Sequence, residues 1–130
     1  MKKQLAKIQK DRQILLYCDL HGHSRKKNSF VYGCNRAANG GFTSWTKVRL
    51  YPRILASQNH IFDIDSCKFK VERGKLGKGR VVVWKEFDVT NSFTLENSFH
   101  GFDYGDEFKY FRVQDFKRLG TDMLTSLHKY

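Results

Sequence analysis

Apolar positions along the chain follow two patterns, one typical of buried strands and one typical of amphipathic helices. Leucine and isoleucine at helical spacing among lysines predict a short helix over residues 3–12, which leads into a strand over residues 13–19. Residues 14–17 are the apolar, buried part of that strand, and residues 19–28 are predicted to be its polar exit loop. The same reasoning predicts another strand over residues 92–96.

The last segment, residues 113–128, predicts an amphipathic helix with an apolar side formed by Phe116, Leu119, Met123, Leu124 and Leu127. A helix is also indicated around residues 48–55, with Pro52 an obstacle unless it lies in the first turn. Glycines and asparagines predict a loop over residues 35–45. The alternation of strands and helices indicates an α/β fold.

Residues 61–87 give a less uniform pattern. Phe69 and Val71 alternate with lysines as in a strand, and residues 73–79 form a basic, glycine-rich loop. In residues 80–87, three consecutive valines favour a strand. Tertiary contacts often override such a preference, so propensity does not decide between strand and helix here.

Composition favours a single globular domain in a soluble, intracellular protein. The chain has 130 residues, 40% of them hydrophobic, and one proline. No apolar run approaches the roughly 18 residues of a membrane span, and no apolar signal core follows the start, so no membrane partner is expected. The cysteines Cys18, Cys34 and Cys67 are odd in number and lack CxxC spacing, which predicts reduced core thiols.

The net charge of +11 attracts anions, whether nucleic acid, an acidic membrane or an acidic peptide. Charge alone does not choose among them. Candidate chemistry lies instead in residues 17–28, YCDLHGHSRKKN, where an apolar strand runs into two histidines. A histidine at a strand end is well placed to ligate a metal in a cleft. By residue type alone, His21 is equally a loop histidine bonded to Asp19 or paired with His23.

Five segments together resemble the zinc carboxypeptidases of the cytosolic branch, which trim glutamates from protein C-termini. They are YCDLHGHSRKKN at residues 17–28, FVYGC at residues 30–34, CKFKV at residues 67–71, GRVVVWKEF at residues 79–87 and NSFTLE at residues 91–96. The resemblance covers nearly the whole chain. It implies an incomplete, zinc carboxypeptidase-like α/β fold, part of a mixed β-sheet flanked by helices, with a short helix over residues 80–87.

The same resemblance implies the roles of the site residues and a zinc cofactor. His21 corresponds to the last of the three protein ligands of the zinc, and Glu96 to the general base. His23 would help to orient the ligating imidazole. Arg80 precedes the segment that lines the specificity pocket in related enzymes, so we expect it to bind the acidic side chain of the substrate.

One family motif is missing. The other two zinc ligands come from an HxxE motif far upstream, and the residues three positions after the histidines here are Ser24, Lys26, Asp63 and Asp103. We therefore expect residues 1–130 to be the C-terminal half of a catalytic domain that needs an upstream half. That half lies either in the same gene, beyond a truncated or split reading frame, or in another chain.

The expected function is removal of C-terminal glutamates from acidic or polyglutamylated tails, such as those of tubulin, in the cytosol. This fragment alone is expected to be inactive. One alternative is a basic nucleic-acid-binding module, supported by the charge and by the RGKLGKGR loop at residues 73–80. No RNP1 or zinc-finger pattern is present, so no specific nucleic acid is expected as partner. A second alternative is an inert remnant of the domain.

Overall fold

A three-stranded sheet with helices on both faces forms the centre of the structure, a computed structural model that describes residues 1–35 and 41–130. In chain order the elements are α1 (Lys2–Gln9), β1 (Leu16–His23), β2 (Ser29–Tyr32), α2 (Gly41–Gln58), a 3₁₀ turn (Arg73–Lys75), α3 (Gly79–Phe87), β3 (Asn91–Ser98), β4 (Phe102–Tyr104), β5 (Glu107–Lys109) and α4 (Val113–Lys129). The predicted α/β class is confirmed.

The sheet is mixed, with the strand order β1-β3-β2. β1 runs parallel to β3, and β2 runs antiparallel to it. In this register His21 lies opposite Glu96, and Asp19 lies opposite Thr94. Strands β4 and β5 form a separate small hairpin that the sequence did not predict.

The hydrophobic core lies on one face of the sheet. Phe93 and Leu95 of β3 are almost fully buried there, and α2 and α4 cover them. Side chains alternate between the two faces of a strand, so Ser92, Thr94 and Glu96 point to the opposite face. α3 packs on that second face, where the Ser92 hydroxyl donates a hydrogen bond of 2.7 Å to the carbonyl of Arg80.

The helices predicted at the start and end of the chain are confirmed as α1 and α4, and the strand over residues 92–96 is confirmed within β3. The ambiguous residues 80–87 are helical, as the family resemblance implied. On α4, however, Leu124 is 72% exposed and Phe116 is 44% exposed, so the predicted apolar side was too wide. Leu119, Met123 and Leu127 alone make that contact with the core.

Two boundaries predicted from the sequence are wrong, and one segment with a strand-like pattern is not a strand. β1 begins at Leu16 and continues to His23, because β3 offers it eight paired positions, so the first residues of the expected exit loop are strand. α2 begins at Gly41, inside the predicted loop; residues 36–40 of that loop lie outside the described part. Residues 61–71 form no strand and make only isolated bridges to β2.

Pro52 lies inside α2 rather than in its first turn. A proline at this position removes one backbone donor from the helix. Its ring is buried, which offsets part of that loss. Within the described residues, no helix is both long and apolar enough to cross a membrane.

The three cysteines are free thiols, as the sequence predicted. Burial raises the pKa of Cys18 and of Cys34 to about 11, and that of Cys67 to about 12. All three therefore stay protonated near neutral pH and behave as small apolar side chains.

β1 is an edge strand, since no described strand pairs with its side away from β3. Leu15 and Leu20 beside this edge are 46% and 67% exposed. Exposed apolar edges pair with other chains. We therefore expect residues 1–130, expressed alone, to aggregate or to stay partly unfolded. Size-exclusion chromatography measures the aggregation, and thermal melting measures whether the chain unfolds cooperatively. Leu20→Lys should reduce the aggregation; a wild-type monomer that melts cooperatively at high concentration would contradict the expectation.

Candidate active site

The polar face of the sheet forms one wall of a cavity of about 340 Å³. Asp19 and His21 of β1, Tyr32 of β2 and Thr94 and Glu96 of β3 reach this cavity from adjacent strands. The start of α3 and the segment before it close the other side with basic side chains: Lys68, Lys70, Lys75, Lys78 and Arg80. Glu72 also lines the cavity. The register thus brings together His21 and Glu96, which are far apart in sequence.

A second cleft, of about 1000 Å³, lies between Trp45 and Trp84. None of the described residues that line it is a histidine, aspartate or glutamate. It therefore lacks the acid, base and metal-binding groups that the smaller cavity has.

His21 stands at the mouth of the smaller cavity with its side chain 53% exposed. Its Nε2 atom lies 3.0 Å from Oδ2 of Asp19. When Nε2 donates a hydrogen to this carboxylate, Nδ1 keeps the lone pair that a metal needs. Metal-binding histidines characteristically have such a carboxylate on their second nitrogen. The geometry of His21 therefore fits a metal ligand.

His23, two residues further along β1, serves the loop that follows. Its Nδ1 accepts hydrogen bonds from the backbone N–H groups of Arg25 at 3.2 Å and Lys26 at 3.1 Å. Its ring packs edge-on against Phe30, 5.1 Å away. These contacts hold the turn between β1 and β2. The sequence predicts that His23 orients His21. Instead, these contacts of His23 go to the following turn and to Phe30, and it is Asp19 that contacts His21.

Among the described residues, no three histidines, cysteines or carboxylates lie close enough to hold a metal ion together. A catalytic zinc characteristically has three protein ligands. His21 fits one of these ligands, and Glu96, half-buried on the neighbouring strand, fits a base beside it. The described part of the chain thus fits a portion of a metal centre and does not fit a complete one.

Arg80, in the first turn of α3, is only 8% exposed and lines the same cavity. Its Nη1 lies 3.4 Å from the Thr94 hydroxyl, and its guanidinium carbon lies 5.5 Å from the centre of the Tyr32 ring. Its Nε has no hydrogen-bond partner among the described residues. None of their carboxylates forms an ion pair with it. A buried guanidinium without a carboxylate is costly unless an anion joins it.

The pKa of Tyr32 depends on burial and on the charges in the cavity. Burial raises its pKa most; the negative charge of Glu96 raises it further, and the positive charge of Arg80 lowers it. Glu96 and Arg80 therefore act on the same small volume. The walls of this volume thus carry both a carboxylate, Glu96, and a guanidinium, Arg80.

Gly79 at the start of α3 allows the helix to approach β1 closely. A Cβ atom at this position would lie 2.8 Å from the hydroxyl oxygen of Tyr17 and 3.8 Å from Oδ2 of Asp19. The first turn of α3 therefore packs directly over these two side chains, and this packing places Arg80 in the cavity.

The chain is similar to known carboxypeptidases in sequence and in fold. The chain is 38% identical to cytosolic carboxypeptidase 2 of Mus musculus and of Homo sapiens, over 97% of its own length and 14% of theirs. It is 37% identical to cytosolic carboxypeptidase 3 of Mus musculus, over 99% of its length and 13% of that protein. No protein-family model matches it.

Solved structures show the same fold. A metallo-carboxypeptidase from Burkholderia cenocepacia matches with a TM-score of 0.75 and 17% identity, over 95% of this chain and 32% of that one. A metallo-carboxypeptidase from Pseudomonas aeruginosa, in complex with (2-guanidinoethylmercapto)succinic acid, matches with a TM-score of 0.71 and 22% identity, over 97% of this chain and 34% of that one. The fold of this chain thus corresponds to about a third of the length of each of these two structures. By sequence the chain belongs to the cytosolic carboxypeptidase family, of whose curated members it spans only about a seventh.

Proposed function

We propose that this chain supplies one metal ligand, the general base and the acidic-side-chain pocket of a zinc carboxypeptidase that removes C-terminal glutamates. The remaining two zinc ligands come from an upstream segment with an HxxE motif, a motif that the 130 residues lack. We call residues 1–130 together with such a segment the assembled domain. The chain alone is inactive in this proposal because its metal site is incomplete.

Each residue has a chemical task in the assembled domain. His21 holds the zinc, which when bound supplies Lewis-acid activation of water and of the scissile carbonyl. Glu96 takes the proton from the attacking water and later delivers it to the leaving amine. Glu96 is suited to this task because it lies beside His21 in the register and lines the same cavity.

The choice of substrate in this proposal rests on the environment of Arg80. Its buried guanidinium has no carboxylate partner in the described structure and faces the cavity. The side-chain carboxylate of a terminal glutamate supplies that missing partner through charge-assisted hydrogen bonds. Lys68, Lys70, Lys75 and Lys78 around the cavity add positive charge that favours an acidic tail.

The protein partners in this proposal are proteins with acidic or polyglutamylated C-terminal tails, such as tubulin, and the place of action is the cytosol. The net charge of +11 favours acidic tails, and the names of the relatives, cytosolic carboxypeptidases, support the cytosol as the place of action. The same relatives favour a carboxypeptidase over a nucleic-acid-binding module. An activity assay of the assembled domain distinguishes an inert remnant from an enzyme, because a remnant stays inactive there.

Replacing Arg80 tests the specificity. In the assembled domain, Arg80→Met keeps much of the volume and removes the charge. A charge-assisted hydrogen bond is worth roughly 1.5–3 kcal/mol, so kcat/KM for peptides that end in glutamate should fall about 10- to 100-fold. Peptides with an apolar end should be affected far less.

Arg73→Ala is the matched control, because Arg73 is exposed in the turn that precedes α3. It should act only through long-range charge, and its effect should fade as the salt concentration rises. Equal losses on both kinds of peptide in Arg80→Met, or no loss, would place acidic specificity elsewhere in the domain.

A further inference from the structure

We propose that Asp19 is a positioning residue for His21, which fixes the ring so that Nδ1 is the nitrogen that faces the metal. This inference rests on the proposed function and names a residue to which that function gave no role. Asp19 touches neither the base nor the place of the substrate anion in the proposal above.

The geometry begins with the alternation of side chains along β1. Asp19 and His21 are two residues apart in the strand, so both point to the cavity face. Side chains at this spacing need not meet, yet Oδ2 of Asp19 lies 3.0 Å from Nε2 of His21. The carboxylate is also less exposed than the imidazole, 38% against 53%.

The start of α3 lies close to the carboxylate of Asp19. A helix begins with backbone N–H groups that have no helical partner and carry partial positive charge. Lys78, the residue before this helix, offers its first turn no side-chain cap. Gly79 has no Cβ, which lets Oδ2 of Asp19 lie close to the helix backbone. Lys75 and Lys78 line the same cavity. These groups place positive charge around the carboxylate that accepts the hydrogen from Nε2 of His21.

The negative charge of Asp19 has a second visible effect in the cavity wall. Burial raises the pKa of Tyr17, and the charge of Asp19 raises it further. Asp19 thus acts on both neighbours on its face of β1, Tyr17 on one side and His21 on the other.

The chemical consequence concerns the tautomer of His21. A neutral imidazole carries its hydrogen on one nitrogen and its metal-binding lone pair on the other. Asp19 selects the Nε2–H form and thereby leaves Nδ1 for the metal. Removing such a carboxylate typically weakens metal binding by about 10- to 100-fold. Asp19→Ala should show this loss in the assembled domain, and Asp19→Asn, which keeps one acceptor oxygen, should show a smaller one.

Two measurements on the assembled domain test the proposal. The zinc dissociation constant is measured by competition with a chelator. The tautomer of His21 is measured from ¹⁵N shifts of the metal-free protein, with His21→Gln to assign its signal among the histidines of the assembled domain. Asp103→Ala is the control, because it removes the same charge from an exposed ion pair with Lys27 at 2.8 Å. We expect the control to match wild type in both measurements.

The outcomes separate this inference from the proposed function. Weaker zinc binding and a mixed tautomer in Asp19→Ala, with catalysis at saturating zinc changed much less than affinity, would support the positioning role. Unchanged zinc affinity in both Asp19 variants would overturn it while leaving the proposed function intact. If wild type itself binds no zinc, the proposed function fails, and the tautomer then decides: an unchanged Nε2–H form in Asp19→Ala would overturn the role of Asp19.

Discussion

Replacing Glu96 with glutamine should leave zinc bound to the assembled domain and lower its turnover by at least about 100-fold. Glutamine keeps the shape of the side chain but cannot take a proton from water. Glu96 lies on β3 next to His21, so the substitution removes the base without removing a metal ligand. Zinc content by atomic absorption and kcat on a peptide ending in glutamate measure the two effects separately.

Glu72→Gln is the matched control for this experiment. Glu72 lines the same cavity but lies in the segment before α3, away from the strand pair that holds His21 and Glu96. Its replacement changes the charge of the cavity by the same amount, so we expect a far smaller fall in kcat. Near-normal turnover in Glu96→Gln, or equal losses in both variants, would remove Glu96 from the mechanism.

Replacing His21 with alanine should remove zinc and activity together. A catalytic zinc held by about three protein ligands loses its open, four-coordinate geometry when one ligand is lost. The half-exposed ring of His21 has few packing contacts to lose, so the fold should survive. Zinc content, circular dichroism and activity measured on the same sample distinguish loss of metal from loss of fold.

His23→Ala provides the comparison, since His23 lies on the same strand and the same face two residues further on. Its hydrogen bonds go to the backbone of Arg25 and Lys26, so its loss should loosen the turn and lower stability while zinc stays bound. Full zinc content in His21→Ala would exclude His21 as a zinc ligand. Equal zinc loss in both variants would mean that the loss does not identify His21 as the ligand on this strand.

Where the local sequence pattern is strong, it predicts the secondary structure correctly. The alternating NSFTLE segment became β3, and the helical spacing in residues 113–128 became α4. The valines of α3 show the opposite case, because their preference for strands is overridden by packing against β1 and β3. The end of β1 could not be read from its own residues, since the length of β3 determines how far the pairing continues.

The candidate site was predictable in its chemistry and less so in its geometry. Family resemblance points to His21, Glu96 and Arg80, but the placement of His21 opposite Glu96 depends on a strand register that no local pattern contains. The burial of Arg80 depends on how closely α3 approaches β1 at Gly79. From the sequence alone, a hydrogen bond between Asp19 and His21 is an alternative to metal binding, whereas in the structure the two are compatible.

Zinc titration of residues 1–130, alone and in the assembled domain, tests most directly whether this chain is one part of a metal-dependent active site. A catalytic site needs about three protein ligands, and the described residues offer no cluster of that size. We expect no tight binding by the chain alone and one zinc per assembled domain, lost in His21→Ala. Zinc binding by the chain alone at a 1:1 ratio with micromolar or tighter affinity, abolished by His21→Ala, would contradict this expectation.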